Sequence, residues 1–343
     1  MPSLFLVLSC CIIFSFMRFG ILGSGSWATA LAKILCEQNE KLNWYLRNDN
    51  TIAHLSEKGS NPSYLQSVTF DTNQLKLSSN IREVVDESDL LILAIPSPFL
   101  HQSLLEVKDL LPSKIVFSAV KGIVPESKDV VGKHLHTVFG VPTNQIGVIM
   151  GPCHAEEVAL EKLSYLTLAC QNQDTAKFLA QQMSCSYIRT KVTDDTIGAE
   201  YAGTLKNIYA IAVGIAHGLG YGDNFQSVLM SNSIRELKRF LKQIHKAKRD
   251  MSHSAYLGDL LVTGYSLFSR NRMLGTMIGK GYTVKSALHE MTMISEGYYA
   301  SHTAHLLIKE FDKSFPIMEA VYQILYEKKS PKKIMSKIAE RLH

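Results

Sequence analysis

The chain has 343 residues, more than one hydrophobic core usually serves, so two domains are expected. Hydrophobic residues make up 46% and charged residues 20%, the balance of a soluble globular enzyme. Net charge is only +5 and the basic residues are not striped with aromatics, which argues against a nucleic-acid module but leaves room for a local phosphate site.

Residues 1–16 stand apart. Pro2 to Phe16 is almost wholly apolar but has no basic start and no small-residue cleavage site, and it is short for a membrane span. Cleavage as a signal peptide would fall at or inside the first strand of the adjoining domain. Met17 lies one residue before that strand, so residues 1–16 read as an upstream extension or a misassigned start. A membrane anchor is the less favoured reading, and no stable membrane insertion is expected. Cys10, Cys11, Cys36, Cys153, Cys170 and Cys185 form no C-x-x-C pair and no framework spacing, which fits reduced thiols in a cytoplasmic protein. No His/Cys set has the spacing of a zinc site, so no metal is expected.

The first strand, residues 18–23, runs into Gly23-Ser24-Gly25-Ser26-Trp27-Ala28 and then a helix over 27–39. Strand, tight glycine turn and helix in that order suit a dinucleotide pyrophosphate. Gly23 permits the turn, Gly25 lets the backbone approach the phosphates, and the helix N-terminus faces the anion. A second strand, 41–46, ends at Arg47-Asn48-Asp49. An acidic residue there usually bonds the ribose hydroxyls of NAD. Arg47 arrives first and suits an adenosine 2′-phosphate, although a solvated strand end reads nearly as well. Further apolar strands follow at 89–95, 114–119 and 145–150, each passing into a turn: Pro96-Ser97, Lys121-Gly122 and Gly151-Pro152-Cys153-His154. Continuous apolar runs separated by helical segments predict a parallel sheet covered on both faces.

The character changes near residue 195. Ile197 to Leu219 reads as a long Ala/Ile/Gly-rich helix whose only charges are Glu200 and Lys206, and helices follow over 226–247, 284–293, 296–310, 316–327 and 331–342. A lysine inside such a helix needs a partner or a task; with its pKa lowered by burial it suits proton transfer. The competing reading is a lysine snorkelling from one helix face. Asp259 offers an orienting carboxylate, and Arg270 with Asn271 offers the forked donors that fit a phosphate, or else an N-cap and a surface cation.

Taken together, these segments resemble the bacterial cytosolic type of NAD(P)-dependent glycerol-3-phosphate dehydrogenase. The resemblance runs from Met17 to near Leu325. It is carried by Gly-Ser-Gly-Ser-Trp at 23–27, Lys-Gly at 121–122, Gly-Pro-Cys-His-Ala-Glu-Glu at 151–157 and Leu-Lys-Asn-Ile-Tyr-Ala at 205–210. Gly-Leu-Gly-Tyr-Gly-Asp-Asn at 218–224, Gly-Asp-Leu-Leu-Val-Thr at 258–263, Ser-Arg-Asn at 269–271 and Glu-Gly at 296–297 complete it. It implies that Lys206 exchanges the proton at the substrate's C2 oxygen. Lys121, Gly151, Cys153, Lys206, Asp259, Ser269, Arg270 and Asn271 would line the glycerol phosphate. Ser26, Trp27, Arg47, Tyr64, Lys121, Ala155, Arg270, Ile294 and Glu296 would touch the dinucleotide beside Gly23 and Gly25. The family usually has serine where Cys153 stands, and Ala28 replaces a common glycine.

The expected fold is α/β: a Rossmann-like doubly wound parallel sheet over 17–195, then an all-α substrate domain over 196–343. The expected reaction is reversible reduction of dihydroxyacetone phosphate to sn-glycerol 3-phosphate, supplying phospholipid synthesis, with NADPH or NADH and a preference for NADPH. Family habit implies a homodimer. A dehydrogenase of another small hydroxy acid, or a dinucleotide-sensing module without activity, are the competing readings.

Overall fold

Short runs without a charged side chain form the centre of the sheet. The computed structural model describes residues 17–38, 41–291 and 293–342, so the expectations for 1–16 lie outside it. Strand β1 (Phe19–Leu22), helix α1 (Ser26–Cys36) and strand β2 (Leu42–Tyr45) come first. They lead to α2 (Asp49–Lys58), β3 (Leu75–Ser78), α3 (Ile81–Asp86), β4 (Leu90–Leu93), α4 (Ser97–Leu105) and β5 (Ile115–Ser118). A small antiparallel pair, β6 (Ile123–Val124) and β7 (Asp129–Val130), precedes α5 (Val131–Phe139). Then come β8 (Ile146–Met150), α6 (Ala155–Ala159), β9 (Ser164–Cys170), α7 (Gln173–Gln182) and β10 (Ile188–Thr193).

Eight strands form one sheet in the order β10-β9-β8-β5-β4-β1-β2-β3. The sequence leaves β1 for β2 and β3 on one side and for β4, β5 and β8 on the other, so the chain reverses its direction of winding at β1 and β4. Ligands of open α/β sheets bind in the crevice at such a point, outside the carboxyl ends of the strands. Central β1 and β4 are wholly buried, which is why they read as unbroken apolar runs. All pairs are parallel except β8 with β9, which run antiparallel, so the last two strands oppose the rest. The expected parallel sheet therefore holds with that one reversal.

Among the described residues, everything from 196 onward is helical or irregular. Helix α8 (Thr196–Gly218) is followed by α9 (Asp223–Ile244), a single π-helical turn (Ser254–Gly258), α10 (Asp259–Tyr265) and α11 (Arg270–Gly279). The remaining helices are α12 (Val284–Glu290), α13 (Glu296–Ile308), α14 (Pro316–Leu325) and α15 (Pro331–Ala339). Helix α8 is the axis of this half. Leu205, Ile208, Ile211 and Ile215 are fully buried, each contributing about 1.5–3 kcal/mol of transfer free energy.

Glycines let α11 lie against α8 backbone to backbone. A Cβ on Gly214 would fall 2.1 Å from the Arg272 carbonyl oxygen, and one on Gly275 would fall 2.2 Å from that of Ile211. Gly218 and Gly279 interlock one turn further along. This contact brings the start of α11, with Arg270 and Asn271, alongside the stretch of α8 that carries Lys206. Helix α8 is tied to the sheet half by Glu200, whose buried carboxylate accepts the Gly132 N–H at 2.9 Å, in the uncapped first turn of α5.

Candidate active site

The glycine turn after β1 is shaped for an anion. Gly23 has φ +139°, and a Cβ there would fall 2.6 Å from the Ala94 carbonyl oxygen at the end of β4. Gly25 is the N-cap of α1: no side chain caps the helix, and its first turn carries no acidic residue. A Cβ on Gly25 would meet nothing within 4 Å, so open space adjoins these unpaired N–H groups. Two side chains that sequence reasoning did not single out hold the turn. Trp44 Nε1 donates to the Gly23 carbonyl at 2.7 Å. Asn61 Nδ2 donates to the Ser24 carbonyl at 3.2 Å and to Thr29 Oγ1 at 2.9 Å. Asn61 Oδ1 also accepts the Ser63 and Tyr64 N–H groups, which brings Tyr64 to the same place.

Beyond the turn lies a cleft of about 370 Å³ between the sheet and the helical half. From the sheet half, Gly25, Ser26, Trp27, Tyr64, Lys121, Cys153 and Ala155 reach its wall. Lys206, Asp259, Ser269, Arg270, Asn271, Ile294 and Glu296 do so from the helical half. Gly23, Arg47 and Gly151 are not on the wall. Gly151, at φ +116°, shapes the turn from behind, and its carbonyl accepts Lys121 Nζ at 3.2 Å. Arg47 is exposed between β2 and α2. His154, Thr263 and Phe268 also line the cleft, although nothing in their local sequence assigns them to it.

Lys206 does not snorkel. It is 4% exposed, and its ammonium donates to Asp259 Oδ1. Asp259 is 1% exposed; its Oδ2 has no hydrogen bond but lies 3.7 Å from Lys121 Nζ. Lys121 Nζ also sits over the Trp27 ring, 5.5 Å from its centroid, a cation–π contact. One carboxylate thus serves two ammonium groups. Burial pulls the pKa of Lys206 down to about 7; Asp259 opposes that pull and Lys121 adds to it. Burial also pushes the Cys153 thiol up to about 12, so it is a protonated, weak donor and no nucleophile. Among the described residues no group of side chains has the makings of a metal site, and no helix is long and apolar enough to cross a membrane.

Ser97 joins the two halves by donating to Glu296, from N to Oε1 at 3.0 Å and from Oγ to Oε2 at 2.5 Å. Gly122 makes room for this contact, since a Cβ there would fall 2.2 Å from Glu296 Oε2. Burial raises the pKa of Glu296, and the Ser97 donors offset that effect. Arg270 Nη1 donates to the Ile294 carbonyl at 3.4 Å. Asn271 Oδ1 accepts Ser295 Oγ at 2.7 Å and the Gly297 N–H at 2.9 Å.

A glycine turn with an uncapped helix, at the switch point of a parallel sheet, suits a dinucleotide. The same cleft holds a buried lysine–carboxylate pair of the kind that moves protons. These features define an oxidoreductase dependent on a nicotinamide dinucleotide. Residues 18–176 match the NAD-dependent glycerol-3-phosphate dehydrogenase N-terminus and residues 195–336 match its C-terminus. The chain belongs to the NAD-dependent glycerol-3-phosphate dehydrogenase family, and its cofactor is NADH or NADPH. It is 33% identical over 323 residues to a glycerol-3-phosphate dehydrogenase (NAD(P)+) of Exiguobacterium sp., covering 94% of both chains. It is likewise 33% identical to one from Bacillus pumilus, covering 91% of each. The crystal structure of glycerol-3-phosphate dehydrogenase from Coxiella burnetii superimposes with a TM-score of 0.88 at 28% identity, covering 94% of this chain and 99% of that one.

Proposed function

We propose that this protein reduces dihydroxyacetone phosphate to sn-glycerol 3-phosphate, reversibly, at the cleft between its halves. The observation that carries this reading is the buried Lys206 ammonium, paired with Asp259 on the wall that also holds Arg270 and Asn271. When bound, the reduced nicotinamide supplies the hydride. Lys206 donates a hydrogen bond to the ketone oxygen, stabilises the negative charge that develops there, and passes it a proton. Its low pKa suits the task, because the free amine left behind is stable enough to take a proton back in the reverse direction. Asp259 holds the ammonium in place, and Lys121 adds positive charge beside the same oxygen.

Arg270 and Asn271 take the phosphate. Asn271 Oδ1 is already committed to Ser295 and Gly297, which leaves Nδ2 as its donor. Ser269 and Cys153 complete the substrate wall, and Gly151 supports it from behind by shaping the turn that carries Cys153. Binding the phosphate remotely orients the reacting carbon and contributes to the rate. The dinucleotide lies along Gly23, Gly25, Ser26, Trp27, Tyr64, Ala155, Ile294 and Glu296. Arg47, at the end of β2, reaches the adenosine 2′-phosphate and favours NADPH.

Residues 17–195 form the dinucleotide unit and 196–343 the substrate unit. The protein works in the cytoplasm as a homodimer and supplies glycerol phosphate for phospholipid synthesis. Adding dihydroxyacetone phosphate to enzyme and NADPH should consume the reduced nicotinamide. A panel of other hydroxy-acid precursors should not.

A further inference from the structure

Asp195 stands at the junction of the sheet half and the helical half, just after β10. It is the N-cap of α8, where its Oδ1 accepts the Gly198 N–H at 3.1 Å. The same carboxylate takes two bonds from Arg249, from Nε to Oδ2 at 2.5 Å and from Nη2 to Oδ1 at 2.8 Å. The Tyr256 hydroxyl donates to Oδ2 as well. Gly198 leaves room for this convergence, since a Cβ there would fall 2.0 Å from Asp195 Oδ2 and 2.4 Å from Arg249 Nε. The Arg249 side chain is 5% exposed and that of Asp195 14%, so water competes little for these charge-assisted bonds. Burial raises the pKa of Asp195, but Arg249 and Tyr256 more than reverse that effect, so the carboxylate stays ionised. Burial also raises the pKa of Tyr256, which keeps its phenol proton for donation.

Both partners of Asp195 belong to the stretch that leads to Asp259. Arg249 lies in the irregular segment 245–253 that follows α9. Tyr256 lies in the π-helical turn Ser254–Gly258, which runs straight into Asp259, the first residue of α10. A single π turn is a rare conformation that recurs at functional sites, and it lasts where its surroundings hold it. Here the Tyr256 ring is buried in the same apolar cluster as Leu205 and Leu260, and its hydroxyl is bound by Asp195. One carboxylate thus fixes the start of the helix that bears Lys206 and the turn that bears its counter-ion. Among the described residues, the titratable groups that face Lys206 are Asp259 from α10, Lys121 from the turn after β5 and His154 from the turn after β8. Asp195, Arg249 and Tyr256 are not on the cleft wall, so their route to Lys206 runs through Asp259.

We propose that Asp195, with Arg249 and Tyr256, forms a positioning latch that registers the turn carrying Asp259 against α8 and so holds the Lys206–Asp259 pair in the geometry that proton transfer needs. This rests on the reading of Lys206 as the proton donor given above. A carboxylate that served the fold alone, by capping α8, would be replaceable by any good cap. The latch predicts otherwise, because serine caps a helix but cannot take the bonds of Arg249 and Tyr256 together.

The test uses Tyr256→Phe, which removes one hydroxyl from a buried ring, and Asp195→Ser, which keeps a cap on α8. Each is first shown to be folded at the assay temperature and to bind NADPH as wild type does. The readout is kcat/KM for dihydroxyacetone phosphate across pH, measured also for Tyr256→Phe combined with Asp259→Asn. Both single variants should lose about 5–50-fold in kcat/KM, since small misplacements of reacting groups cost up to about 100-fold. Their descending limb should move to lower pH by about 0.5 unit, a fraction of the roughly 1–3 units that a neighbouring charge commands. Once Asp259→Asn is present, Tyr256→Phe should move the limb no further. An unmoved limb in Tyr256→Phe, whatever happens to Tm, makes the latch a fold contact alone and overturns the proposal. So does a full further shift in the double variant. A wild type without a descending limb near pH 7 overturns the reading of Lys206 itself, a different and separable result.

Discussion

The Lys206 ammonium and the Asp259 carboxylate form a hydrogen-bonded ion pair at the cleft, 4% and 1% exposed respectively. Buried pairs of this kind seldom add net stability, because stripping water from both charges costs as much as their attraction returns. An apolar pair of the same volume would serve the fold equally well. The pair is therefore best understood through what a desolvated lysine does to a bound carbonyl.

Its pH dependence follows from the direction of the shift. Lys206 titrates at about 7, pulled down chiefly by burial. Ketone reduction needs the protonated form, so its kcat/KM, which reports the unliganded enzyme, should fall as pH rises through about 7. Alcohol oxidation needs the free amine, so its kcat/KM should rise over the same range. Initial rates in both directions check this; limbs of the same sign in both would contradict the role of Lys206.

Asp259→Asn removes the charge that supports the ammonium, while burial and Lys121 continue to depress it. The descending limb of the reduction profile should move to lower pH. Maximal rate should drop as well, by about 10–100-fold, through lost orientation of the lysine. An unmoved limb would show that Asp259 does not tune Lys206.

Arg270→Ala should act on phosphate binding. Charge-assisted hydrogen bonds are worth about 1.5–3 kcal/mol, so the KM for dihydroxyacetone phosphate should rise roughly 10–100-fold. Steady-state kinetics decide the matter, and an unaltered KM would remove Arg270 from the phosphate site.

Gly122→Ala would place a methyl group 2.2 Å from Glu296 Oε2 and 2.5 Å from Ser97 Oγ. Overpacking of this kind costs about 1–3 kcal/mol, so Tm should fall and NADPH affinity with it. Thermal melts and cofactor titration report the two effects. Wild-type values for both would show that the Ser97–Glu296 contact does not organise the cleft.

Arg47→Ala tests cofactor choice. NADPH affinity should drop about tenfold while NADH affinity holds within about twofold, since only NADPH carries the 2′-phosphate. Unaltered affinity for both would identify Arg47 as a solvated strand end, and an equal loss for both would contradict its role at the 2′-phosphate.

The centre of the sheet was legible because β1, β4 and β8 are buried on both faces and so carry no polar interruption. Edge strands β3 and β10 escaped notice. Their sequences, Leu-Lys-Leu-Ser and Ile-Arg-Thr-Lys-Val-Thr, mix polar and apolar residues because they are only partly buried. Strand β9 was missed too, and no local pattern shows that it runs antiparallel to β8. Helix α11 was hidden by the glycines that make its contact with α8 so close, since Gly275 and Gly279 weaken helix propensity where packing needs them.

In the site, the glycine turn, Lys206 and Asp259 were readable, each being costly or unusual where it stands. Asn61, Trp44 and the Ser97–Glu296 contact were not, because their partners lie 21 to 199 residues away. His154 stands in the sequence only as part of a turn, and the fold alone shows that the residue lines the cleft while its Nε2 is buried and has no partner among the described residues.

The most direct test is the rate of reduced-nicotinamide consumption by Lys206→Met with saturating dihydroxyacetone phosphate, beside wild type, in protein shown to bind NADPH normally. Loss of the proton donor should lower kcat by about 10²–10⁴-fold. Turnover within about threefold of wild type, too small a change for a lost general acid, would contradict the assignment of Lys206 and the mechanism built on it.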